Sequence, residues 1–201
     1  MAKPFNQKEI ETIRNNLLTV AKQYFIQYGP LKTRIEDLTS DVGIAKGSFY
    51  RFFSSKFDLF LELYKIEREI LVVELKKKFL YRKENINTLI KEYLHVLLNK
   101  LESNDILNMV FSEDIMSVLY EKGSAEQLKE FNELANNELA EIISTWEQIN
   151  TNSNKSNYDA QVIAGMIRGI SFLRFHKRYF TEGVYERVID ALIESISNNI
   201  S

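Results

Sequence analysis

Apolar positions along the chain recur at intervals of three and four, the period of a helix face, and nowhere alternate as a half-buried strand would. Ile10, Ile13, Leu17, Ala21, Tyr24 and Tyr28 form the first stripe, which Gly29-Pro30 stops. Thr33-Arg34-Ile35-Glu36 then has the spacing of a capping box. It predicts a helix over about 34–42 with Ile35, Leu38 and Val42 inward. After Gly43-Ile44 a second short helix is expected over about 45–53, with Phe49 and Phe53 one turn apart. Ser55-Lys56-Phe57-Asp58 repeats the capping pattern and opens a long helix to about Lys83.

Polar breaks follow near Asn85, Ser103-Asn104, Lys122-Gly123, 150–157 and 181–183. Between them lie five more helical patterns, roughly 87–102, 105–120, 125–149, 158–179 and 184–198. Ser124 and Gln127 make a further capping box at the head of the third. The pattern is therefore all-α, about nine helices.

Composition narrows the chemistry. The chain has 201 residues, 45% hydrophobic, with no cysteine. That removes disulfide scaffolds, Cys-ligated metals and thiol nucleophiles. Two distant histidines supply neither a hydrolytic triad nor a three-histidine zinc site. Glu92 and His95 have the spacing of half a di-iron motif, but position 173, three before His176, is Leu, so the second half is missing. No metal and no cofactor are expected. No apolar run is long enough to span a membrane and the first ten residues are polar, so a cytoplasmic protein without membrane association is expected. Residues 1–65 carry 10 Lys+Arg against 7 Asp+Glu, whereas the remainder is acidic. A cationic first third suits an anionic partner.

Two short helices joined by a tight turn at Gly43 have the spacing of a helix-turn-helix. In such a unit the second helix enters the major groove and its N-terminal residues meet the DNA. Here those are Lys46, Gly47, Ser48, Tyr50 and Arg51: two cations, a hydroxyl, a phenol, and a glycine that admits close backbone approach. On these grounds alone an ordinary helical hairpin remains equally open.

The text of this segment closely resembles the tetracycline-repressor (TetR) family. Thr33, Gly43, Ile44, Ala45, Gly47, Tyr50, Phe53 and Lys56 match its pattern, and the resemblance covers about residues 8–62. It implies that Thr33, Tyr50 and Lys56 contact phosphate while Lys46 and Ser48 reach the groove; Arg51 faces either solvent or a base edge. Ala45 departs from the family, which often has Ser or Thr there, so a side-chain N-cap worth about 1 kcal/mol is absent. The resemblance also implies a division into a helix-turn-helix DNA-binding domain over 1–60 and a ligand-binding and dimerisation domain over 61–201.

Within the second domain, helix 158–179 is apolar most of the way round and needs cover on two sides. One cover is its own core. The other is either the chain's interior or a second subunit, and the resemblance favours the homodimer. Gly165, Gly169, Phe172, Ile189 and Leu192 are the candidate interface. Tyr93, Phe111, Met116, Tyr120, Trp146 and Phe172 are candidates to line a small-molecule pocket, or are simply core. The resulting expectation is a non-enzymatic transcriptional regulator: a ligand-responsive repressor that binds a palindromic double-stranded operator as a dimer. The alternatives are a constitutive regulator without a ligand and an α-helical enzyme.

Overall fold

A computed structural model of the chain describes residues 6–129 and 160–200, with isolated positions between them. Every regular element among the described residues is a helix. Helix α1 (Gln7–Tyr28) starts from a capping box that the hydrophobic pattern did not disclose. The Asn6 side chain accepts from the Glu9 amide at 2.9 Å, and Glu9 accepts from the Asn6 amide at 2.7 Å.

Helix α2 (Ile35–Val42) begins differently from the sequence expectation. Its N-cap is Arg34, with no side-chain cap. The predicted Thr33–Glu36 capping box does not form: the helix starts one residue later than that box requires, and the Thr33 hydroxyl turns back and donates to Gly29 O at 2.9 Å. At the other end Gly43 adopts φ 76° and ψ 33°. This left-handed geometry, strained for residues with a Cβ, lets the Gly43 and Ile44 amides close onto Ser40 O and Thr39 O.

Helix α3 (Lys46–Phe49) is shorter than the 45–53 expected. Ala45 offers no cap, and the Arg51 and Phe52 amides reach back only three residues, to Ser48 O and Phe49 O. Positions 50–52 are therefore turns. Helix α4 (Lys56–Phe79) opens with Ser55 Oγ accepting from the Asp58 amide at 3.0 Å. Asp58 in turn accepts from the Ser54 amide at 3.1 Å.

Helix α5 (Ile86–Ser103) is capped by Asn85. The single helix expected over 105–120 is two, α6 (Asp105–Met109) and α7 (Glu113–Lys122). Val110 and Phe111 turn inward between them, 0% and 8% exposed, and Ser112 is extended. Ser124 and Gln127 form their capping box as read, ahead of helical residues 125–129. Helix α8 (Ala160–Leu173) tightens into a 3₁₀ turn at Arg174–Tyr179, and α9 (Val184–Ile200) follows.

The chain divides into two compact units. One holds α1, α2, α3, α4 as far as Glu69, and α6. Its core is Leu17, Ala21, Phe25, Leu38, Phe49, Leu59 and Phe60, all fully buried. Phe25 meets Phe60 edge-on at 5.9 Å. The other unit, Ile70–Asn104 and the chain from Val110 onward, is built on α5. Leu89, Ile90, Tyr93, Leu94 and Leu97 of that helix are buried, as are Ile193 and Ile196 of α9, which packs against it. Lys91–Glu194 and His95–Asp190 pair along the same two helices.

Candidate nucleic-acid interface

The geometry of the interface begins with what holds α2 and α3 in place. Phe49, fully buried, and Phe53, 3% exposed, drive the α3 segment into the core of the first unit, with ring centroids 6.0 Å apart. Arg14 covers the Phe53 ring at 5.1 Å and pairs with Glu62 at 2.9 Å. On the far side of α2, the Tyr24 hydroxyl donates to Asp41 at 2.8 Å, tying α2 to α1. That bond, followed by desolvation and the Asp41 charge, raises the Tyr24 phenol above its ordinary pKa.

With its aromatic side anchored, α3 presents the opposite side outward. Lys46, Gly47, Tyr50 and Arg51 are exposed and Ser48 is half-buried, so the structure brings these five predicted residues to one turn of chain. Tyr50 is 54% exposed and leans edge-on against Phe49. Gly47 has no positive φ, and a Cβ built on it meets nothing within 4 Å. Nothing within the protein requires glycine there. A helical glycine costs about 1 kcal/mol relative to alanine, so the position gives up stability that a Cβ would supply.

Two residues with predicted phosphate contacts also have partners within the protein. Thr33 is 3% exposed and its hydroxyl is engaged with Gly29 O, so it has no side-chain donor to offer a phosphate. Lys56 is half-buried. Its ammonium donates to Leu31 O at 2.9 Å and to Thr33 O at 2.5 Å, fastening the start of α4 to the segment that precedes α2. Burial holds its pKa below the ordinary 10.5. Both residues tie the segment ahead of α2 to its neighbours.

One residue on the face was not anticipated. Glu36, in the first turn of α2, pairs with Lys46 at 2.5 Å, and both side chains are more than half exposed. Hydrogen bonding within the pair, then the Glu36 charge, raises the lysine; the same bond, then a backbone hydrogen bond and the Lys46 charge, lowers the carboxyl. No sequence signal links two residues ten apart on different helices.

Residues 17–63 match the profile of bacterial regulatory proteins, tetR family. This segment is a tetR-family domain. The helix-turn-helix at Ile35–Phe49 lies wholly inside it. No curated protein matches the sequence. Among solved structures, similarity runs along nearly the whole chain at low identity. A protein from Syntrophomonas wolfei described as a TetR-family transcriptional regulator is 17% identical, with TM-score 0.67 over 95% of this chain and 97% of that one. The transcriptional regulator FadR from Bacillus subtilis, in complex with stearoyl-CoA, is 15% identical, with TM-score 0.57 over 93% and 99%. RolR in complex with resorcinol is 15% identical, with TM-score 0.62 over 98% and 100%. At these identities the likeness is one of fold, and the helices beyond the tetR-family domain share it.

In the second unit the predicted ligand-lining residues separate. Phe111 and Phe172 meet edge-on at 5.7 Å, and Met116 is buried. Tyr93 is core, packed edge-on against Phe79 at 5.6 Å. Tyr120 is 58% exposed on α7, and Leu119 beside it takes the buried position. Trp146 lies outside the described residues. A cleft of about 200 Å³ opens between α5 and α9, lined among others by His95, Asn99, Lys177, Tyr185 and Ile189. On α8, Gly165, Gly169 and Val162 are exposed on one face, while Ile163 and Ile170 are buried. Among the described residues no His, Asp and Glu cluster could hold a metal ion, and no helix is long and apolar enough to cross a membrane.

Proposed function

We propose that the chain is a transcriptional regulator that binds double-stranded DNA through α3 and acts by binding rather than by catalysis. The observation that carries this reading is the group Lys46, Gly47, Ser48, Tyr50 and Arg51, on and just after the second helix of a tetR-family helix-turn-helix, with all but the half-buried Ser48 exposed. Lys46, Ser48 and Arg51 supply donors for phosphate and base edges, and the bare backbone at Gly47 admits them to the groove. Residues 1–60 are then the DNA-binding domain and 61–201 the regulatory one.

A single short recognition helix reaches few phosphates, so useful affinity requires two copies about one helical turn of DNA apart. The α8 face with Val162, Gly165 and Gly169, joined by Ile189 and Leu192 of α9, is the surface proposed to pair with a second copy. Its two glycines, four residues apart, leave room for helices to cross closely. FadR binds stearoyl-CoA and RolR resorcinol on the same architecture. By that analogy the second unit takes a small-molecule effector, with Phe111, Met116 and Phe172 in its wall. A ligand that prefers one spacing of the two recognition helices shifts the population away from the DNA-competent state, which makes the chain a ligand-responsive repressor in the cytoplasm.

Fluorescence anisotropy with the full chain and DNA from its own promoter tests the reading. Saturable binding to one palindromic site, at least a hundredfold tighter than to scrambled DNA, is the expected result. Equal affinity for every duplex overturns it.

A further inference from the structure

The carboxylate of Glu36 stands on the face that the reading above presents to a polyanion. An acidic group there repels phosphate at every register, and its neighbour on that face is Lys46, 2.5 Å away. Both side chains are more than half exposed, so no burial forces the pair together. Asp37, next on α2, is exposed as well. The arrangement presents an acceptor and a donor side by side, at the mouth of the recognition helix.

The major-groove edge of a base pair offers the complement. In G·C, guanine O6 accepts and the cytosine N4 amino group donates. These two atoms are hydrogen-bonded to each other and so lie about 2.9 Å apart, close to the span of the ion pair. An A·T pair also offers one donor and one acceptor. Guanine adds N7 beside O6 for the same ammonium, whereas thymine puts a methyl group beside O4.

We propose that Glu36 is a specificity-determining residue: with Lys46 it reads one G·C pair in each half-site, ammonium on guanine O6 and N7, carboxylate on cytosine N4. Elsewhere on DNA the carboxylate meets no N4 amino group in reach, keeps Lys46 occupied and repels the backbone. Glu36 thus trades overall affinity for selectivity. The inference rests on the DNA-binding reading, and it adds a residue and a base pair to it.

Selection of binding sites from a randomised duplex library, with the full-length wild type, Glu36→Gln and Lys46→Gln, tests it. The wild type should enrich one G·C pair per half-site. Both variants should lose that preference by about fivefold or more, the low end for a good base contact, while keeping the other positions. Glu36→Gln should also bind non-specific DNA more tightly, with a salt dependence steeper by about one per subunit, because Lys46 is released to a phosphate. Thermal melts should be unchanged for so exposed a residue. A Glu36→Gln chain with the wild-type base preference at every position, or one that weakens on all sequences alike, overturns the inference and leaves DNA binding intact. A wild type that selects no sequence overturns both.

Discussion

Lys56 reaches back 23 residues to donate to the carbonyl of Thr33, and the same ammonium holds Leu31 O. The start of α4 is thereby fixed to the segment that launches α2. Thr33 completes the fastening, its own hydroxyl closing on Gly29 O where α1 ends. Three helix termini meet at these two side chains. They fix where α2 starts relative to α1 and α4.

Lys56→Met keeps the apolar stem and removes both charge-assisted bonds. It should lower stability by about 1–2 kcal/mol, read as a shift in the urea midpoint without a change of slope. Operator affinity should fall as well, while the preferred bases remain the same. An unchanged midpoint would mean that the two carbonyl bonds are replaced by water at no cost.

Gly47→Ala separates folding from function. The added Cβ meets nothing within 4 Å and the backbone is unstrained, so the free protein should gain about 0.5–1 kcal/mol in thermal unfolding. DNA affinity should drop at least tenfold, because the methyl group stands between α3 and the groove. Stability and affinity moving together would place the docking face elsewhere.

Gly169→Leu examines assembly. A Cβ at Gly169 also meets nothing within 4 Å, so the chain itself should fold with undiminished helix content. Against a second copy the leucine should force the α8 helices apart. Sedimentation at micromolar concentration should then find a dimer for the wild type and mainly monomer for the variant, with operator binding weakened in parallel.

Acid should unfold the second unit partly through Glu92. The Arg82 guanidinium, bonded to it at 2.7 Å, and then the charges of Arg82 and Lys78, hold this carboxyl below its ordinary 4.5. The unfolded chain binds that proton more tightly than the folded one. The stabilisation is therefore complete above pH 4.5 and is lost as pH falls through the lower folded value. Glu92→Gln should be less stable than wild type at neutral pH, and its urea midpoint should decline less steeply between about pH 5 and 3. Parallel declines in the two proteins would show that the pair contributes nothing to acid sensitivity.

Much that depends on neighbours within one or two turns was legible in the amino-acid order, though the Asn6 cap of α1 and the start of α2 at Arg34 were not. The stripe Leu17–Ala21 marked the buried side of α1, Gly43 marked a left-handed helix end, and Ser124 with Gln127 announced a cap that forms. The outward group Lys46, Gly47, Tyr50 and Arg51 was legible for the same reason, since one short helix anchored by Phe49 fixes which side faces out. Tertiary structure alone decided which partner a polar group takes. Glu36 finds Lys46, and Lys56 finds Thr33, across helices that only the packing of Phe25, Phe49 and Phe60 brings together. Tyr120 and Leu119 are adjacent apolar residues, but the packing of α7 buries the second and leaves the first to solvent. A helical period tells which residues share a face; it takes a neighbouring element to say which face is covered.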